Sequence, residues 1–231
     1  MSKVKFGYDI KKDAWSWVEI AKDKNLWGLN WENEVAHIPE DLLAEILKID
    51  FLEAQNLVED YIKKNPKREY KELVIKEQIN SLESVWETVE EKYFETLAKL
   101  TDKSIFSEEF GCFWTTGFMC PYNEEENWFM VSIWHSAPFS ITTICHEIFH
   151  LQFLHYYKNY LIGKGLSEEQ IGDIKEAITF LLNEPEFEEI ILTEDNGYPK
   201  HQELRKKLKE FWPKSCDFME LLDGAIEIIK E

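Results

Sequence analysis

Residues 140–157 read Ser140-Ile-Thr-Thr-Ile-Cys-His-Glu-Ile-Phe-His-Leu-Gln-Phe-Leu-His-Tyr-Tyr157. Inside this run, His146-Glu147-Ile148-Phe149-His150 has the pattern H-E-x-x-H. On a helix, positions four apart project from one face on successive turns, so His146 and His150 can share one ion. Glu147 sits about 100° round from His146. It lies at the rim of that face, within reach of a water on the ion but not itself a ligand. Two imidazoles for a metal plus a carboxylate for a water is the arrangement of zinc hydrolases. The flanking Ile141, Ile144, Ile148, Phe149, Leu151, Phe153 and Leu154 are apolar nearly all round, as in a buried helix. Two histidines and a carboxylate in such a helix need partners, because unpaired buried polar groups are costly. A pair satisfied within the core is the simpler alternative, and a metal accounts for more of the pattern.

A catalytic zinc needs a third protein ligand and one open position. A third histidine in the longer pattern H-E-x-x-H-x-x-G-x-x-H is excluded, since position 153 is Phe and position 156 is Tyr. His155 lies about 140° from His150 round the helix and reads as structural or exposed. Glu176, in Lys175-Glu-Ala-Ile-Thr-Phe-Leu-Leu-Asn183, is a carboxylate among apolar residues of the next predicted helix, a setting that calls for a cation. Its rivals are Glu184, at the frayed end before Pro185, and Asp173.

His146-Glu-Ile-Phe-His150 followed by Glu176-Ala-Ile-Thr resembles the thermolysin-like, or gluzincin, metallopeptidases, over about residues 140–183. The resemblance implies a zincin-like core, Zn²⁺ on His146, His150 and Glu176, and Glu147 as general base for hydrolysis of a peptide or protein substrate. Such enzymes usually carry an Asp one turn after the ligand Glu to steady a ligand histidine. Here that position is Phe180, so the partner has to come from elsewhere. They also stabilise the tetrahedral intermediate with a Tyr or His outside the two helices. By that analogy Tyr198 and His201, in Asp195-Asn-Gly-Tyr-Pro-Lys-His201, are candidates, although the same residues read as a turn and a helix start. His135 is a candidate to line the cleft. The alternatives are an inactive zincin-like binding or regulatory protein, and a structural zinc with four protein ligands.

The remainder of the 231 residues reads as an α+β, mainly helical protein, with an N-terminal helical region over 1–103 and the zincin-like core over 104–231. Residues 1–38 read as irregular, apart from a helix around 13–22 and a Trp-rich segment at 26–31 taken as a flap on the core. Long amphipathic helices are expected over about 39–64 and 66–100. Residues 110–120 and 128–134, around the turn Pro121–Asn127, are β-branched and aromatic. They read as a hairpin or small antiparallel sheet preceding the histidine helix, with an edge strand where an extended peptide can pair. Ser140 is the expected N-cap of that helix, Gly163 or Gly165 its stop, and Ser167-Glu-Glu-Gln170 a capping box for the next. Two helices, about 199–211 and 215–230, close the chain.

A net charge of −19, interspersed along the chain, argues against nucleic acid and anionic membrane as partners. No stretch reaches the roughly 18 apolar residues of a membrane span. The start lacks the apolar core of a signal peptide. Together with cysteines 112, 120, 145 and 216 in no C-x-x-C spacing, this leads us to expect reduced thiols in a cytoplasmic protein.

Overall fold

The computed structural model describes residues 2–22, 38–215 and 217–230; the Trp-rich segment and Cys216 lie outside them. Strand β1 (Lys3–Gly7) leads into helix α1 (Ile10–Lys22). Helices α2 (Glu40–Ile46), α3 (Phe51–Lys64), α4 (Arg68–Trp86) and α5 (Glu90–Thr101) follow. Strands β2 (Glu109–Thr115), β3 (Tyr122–Asn123) and β4 (Trp128–Ser132) precede the 27-residue helix α6 (Ala137–Gly163). Helix α7 (Glu168–Ala177) continues into a 3₁₀ turn (Ile178–Asn183), and α8 (Gln202–Ser215) and α9 (Phe218–Lys230) close the chain.

The four strands form one mixed sheet in the order β1-β2-β4-β3. This corrects two expectations. Residues 3–7 are a strand, paired parallel with β2 from Lys3↔Glu109 to Gly7↔Phe113. The segments around the turn are not a simple hairpin either: β2 and β4 run parallel, from Gly111↔Trp128 to Thr115↔Ser132, and only the short β3 is antiparallel to β4. The physical reason lies in burial. Every residue of β4 is buried, as for an inner strand covered on both faces. The chain after β2 therefore passes across the end of β4 and returns on its far side as β3. Ser132 Oγ donates to the Gly117 carbonyl and Trp134 Nε1 to the Thr116 carbonyl, and these bonds pin that crossing.

Both long helices predicted in the first half are broken. Asp50 restarts the first by accepting from Glu53 N at 2.8 Å, an N-cap. Lys22 Nζ donates to the Ile46 and Ile49 carbonyls at the end of α2, where a cation is favoured. The second breaks at residues 87–89, where Glu90 Oε1 accepts from both Trp86 Nε1 and the β1 amide of Val4. The cap of helix α6 lies four residues before the expected one. Ser136, not Ser140, accepts from Phe139 N, because Pro138 is tolerated in a first turn. The capping box at Ser167 and Gln170 is present, and Gly165 takes the left-handed conformation, φ +84°, just beyond α6.

Two apolar cores result. One is built by α1, α2 and α3 around Trp17, Val18, Ile46 and Val58. The larger one gathers α4, α5, the sheet and all later helices around Trp86, Phe110, Phe129, Phe149 and Leu221. The cores therefore divide between α3 and α4, and the helices over 68–101 pack with the C-terminal part. Asp13, fully buried on α1, ties the two together. Its carboxylate accepts from Thr116 N at 2.7 Å, and from the hydroxyls of Thr115, Thr116 and Tyr8. Burial raises its carboxyl above the ordinary 3.8, while these donors pull it down. Asp13→Ala strands three buried donors and the half-buried Tyr8 hydroxyl, and we expect it to lower unfolding stability by about 3 kcal/mol. Denaturant unfolding checks this; a loss below about 1 kcal/mol would show that the network is not what joins α1 to the sheet. No helix among the described residues is long and apolar enough to cross a membrane.

Candidate metal centre

Helix α6 delivers His146, Glu147 and His150 from its buried face, and α7 packs beside it with Glu176 near its C-terminus. The ligand atoms of His146, His150 and Glu176 all lie within 4.8 Å of one another. His146 Nε2 is 3.5 Å from Glu176 Oε2, and His150 Nε2 is 3.2 Å from Glu176 Oε1. Tetrahedral zinc with bonds of about 2.05 Å spaces its donors about 3.3 Å apart. The two imidazole rings are 4.1 Å apart, centroid to centroid.

The polar atoms there are not satisfied by one another. His150 Nε2, Glu176 Oε2 and Glu147 Oε2 are buried and have no hydrogen-bond partner among the described residues, although side chains buried this deeply almost always find one. Nitrogen and carboxylate donors left open around one point fit a divalent zinc ion.

The partner that Phe180 cannot supply comes from residue 195. His146 Nδ1 is hydrogen-bonded to Asp195 Oδ2 at 2.5 Å. That contact fixes the tautomer in which Nε2 faces Glu176, the role of an outer carboxylate at zinc sites. Asp195 is itself held tightly. Its Oδ1 accepts from Thr179 Oγ1 at 2.9 Å and pairs with Arg205 at 3.0 Å, while its backbone amide and carbonyl both bond the Asn183 side chain. Arg205 Nη1 and Thr179 Oγ1 also donate to the Glu176 carbonyl, tightening the end of α7 into its 3₁₀ turn. Sequence reasoning missed Asp195, Thr179 and Arg205 in this role. They come from three separate segments, and no local spacing links them.

Burial and charge divide the titrating groups. Burial alone disfavours the charged form of His146, but the Asp195 carboxylate overrides it and pushes the imidazole up to about 10. His150, buried and facing the Lys175 ammonium, is pushed down to about 3. Burial raises Glu147 to about 7, against the pull of His146 and Lys175. Burial would also raise Glu176, yet Lys175 and the two histidines hold it well below the carboxylate range. Metal uptake competes with protons for the imidazole nitrogens.

A cavity of about 400 Å³ reaches this centre at His146 and Glu147, and is lined further by Phe118, Cys120, His135, Phe139, Asp195 and Tyr198. Tyr198 and His135 thus reach the cleft. Burial drives the Tyr198 phenol well above its usual range and His135 down to about 4, so the first stays a donor and the second neutral. His201 does not line this cavity; it is buried, with Nε2 3.0 Å from Asp173 Oδ1. Asp173 is thereby engaged away from the ligand cluster, and Glu184 lines a different cavity. His155 is exposed and stacks on Phe106 at 4.3 Å. Cys112, Cys120 and Cys145 are free thiols.

No protein-family model, no curated protein and no solved structure matches this chain.

Proposed function

We propose that the chain is a zinc-dependent metallopeptidase with a zincin-like core, and that His146, His150 and Glu176 hold the ion. One observation supports this reading above others: the half-buried His146 and the buried His150 and Glu176 converge from two helices, His150 Nε2 and Glu176 Oε2 have no hydrogen-bond partner among the described residues, and Asp195 orients His146 from outside. When bound there, zinc acts as a Lewis acid and lowers the pKa of water to about 7. Glu147 accepts the proton released as water attacks the scissile carbonyl, and returns it to the leaving amine. Its Oε2 is buried with no hydrogen-bond partner among the described residues, and Glu147 lines the cavity, as a proton acceptor needs to. Tyr198 donates to the oxyanion that develops on the same carbonyl. The substrate runs along the outer edge of the sheet. There β3 pairs on one side only with β4, and the Tyr122 ring lies 6.0 Å from that of His150. An extended peptide adds to such an edge by main-chain hydrogen bonds.

The absence of an Asp at position 180 and the many tryptophans lend some weight to an inactive binding protein; the Asp195 carboxylate on His146 Nδ1 weighs against that alternative. Tyr198→Phe removes one oxyanion donor, and we expect kcat to fall about 10²-fold with zinc content unchanged. An unaltered kcat would assign the donor to another group. The test of the whole reading is metal analysis together with a mixed peptide library. The expected result is one zinc per chain and cleavage that stops with chelator and returns with zinc. A zinc-loaded protein that cleaves no peptide would sink it.

A further inference from the structure

Lys175 is a cation built into this centre that neither the ligand set nor the proposed chemistry uses. Its side chain is buried, 3% exposed. Nζ donates to Glu176 Oε1 at 2.6 Å and lies 4.6 Å from the centroid of the Tyr122 ring. A buried ammonium persists only when paired. Successive positions on a helix face about 100° apart, so helix geometry alone does not bring residues 175 and 176 together. The stem folds back to its neighbour's carboxylate, and the Tyr122 ring on β3 receives the other face of the ammonium. The cation thus occupies one carboxylate oxygen, while the other, Oε2, has no hydrogen-bond partner among the described residues and lies 3.5 Å from His146 Nε2.

Resting on the zinc reading above, we propose that Lys175 is a positioning residue, a resident counter-charge that holds Glu176 in place and limits how tightly the centre binds a divalent ion. Without a dication, the ammonium supplies the positive charge the buried carboxylate requires. With one, like charges share the same carboxylate, and their repulsion amounts to at least about tenfold in affinity. Removing Lys175 therefore weakens the metal-stripped protein and strengthens zinc binding. A merely structural lysine would not produce that pair of effects.

The experiment compares wild type, Lys175→Met and Lys175→Arg after stripping with chelator, by thermal unfolding and by zinc titration against a competing chromogenic chelator. In Lys175→Met we expect the stripped protein to melt about 5 °C lower and to bind zinc at least about tenfold more tightly. Lys175→Arg keeps the charge and stays near wild type in both. An unchanged melting temperature in Lys175→Met, or zinc binding that is equal or weaker, overturns the proposal. If Lys175→Met does not fold without zinc, Lys175→Gln decides on zinc affinity alone: tighter supports, equal or weaker overturns. Wild type that takes up no zinc overturns both this inference and the zinc reading. Wild type that binds zinc, with no tightening in the variants, overturns only the role of Lys175.

Discussion

Glu147→Gln is expected to reduce peptide hydrolysis by about 10³-fold or more while the protein keeps one zinc per chain. Gln has the shape of Glu and cannot accept a proton, so the substitution removes one function and little else. Glu147 is 6% exposed and lies on the cavity wall beside His146, and its Oε2 has no partner among the described residues. No fold-stabilising contact of that atom is therefore lost. Burial has already brought its carboxyl to about 7, where a base both takes and returns a proton most readily near neutral pH. Single-turnover rates and metal analysis on the same sample check the prediction. Full activity in this variant removes Glu147 from the chemistry, and lost zinc would make it a ligand instead.

Glu176→Ala has two consequences, and both are large. The ligand cluster loses its only carboxylate, so zinc should no longer raise thermal stability. In wild type, free zinc at about 1,000 times Kd is expected to add about 4 kcal/mol, or roughly 8–16 °C of melting temperature for a chain of this size. The variant also leaves Lys175 buried without its carboxylate, which should cost about 3 kcal/mol in the stripped protein. Lys200 and Lys158, on exposed ion pairs, give the contrast: breaking those should cost less than about 1 kcal/mol. Scanning calorimetry with and without zinc reads both effects. A variant that still gains stability from zinc would show that Glu176 is not a ligand.

The half of the centre on α6 was legible because its chemistry is local: His146, Glu147 and His150 owe their common face to helix geometry alone. Glu176 was legible because a carboxylate among apolar residues stands out. Asp195 was not, since it lies 49 residues beyond His146 in an irregular segment held by Asn183 and Arg205; its place depends on tertiary packing. The parallel pairing of β2 with β4 was hidden for a similar reason. The turn at 124–127 does make a hairpin, but with the two-residue β3, and the uninterrupted apolar run Trp128-Phe-Met-Val was the available sign of an inner strand. The helix breaks at Asp50 and Glu90 turn on single side chains, which a periodicity averaged over long windows does not register.

Because Lys3–Gly7 pairs with β2 from Glu109 to Phe113, the first few residues and the histidine helix belong to one folding unit. A shortened version of the chain starting after residue 103 would bare the edge of Glu109–Phe113 and invite a second molecule to dock strand on strand. Trimming the start should therefore yield self-association rather than a smaller monomeric core.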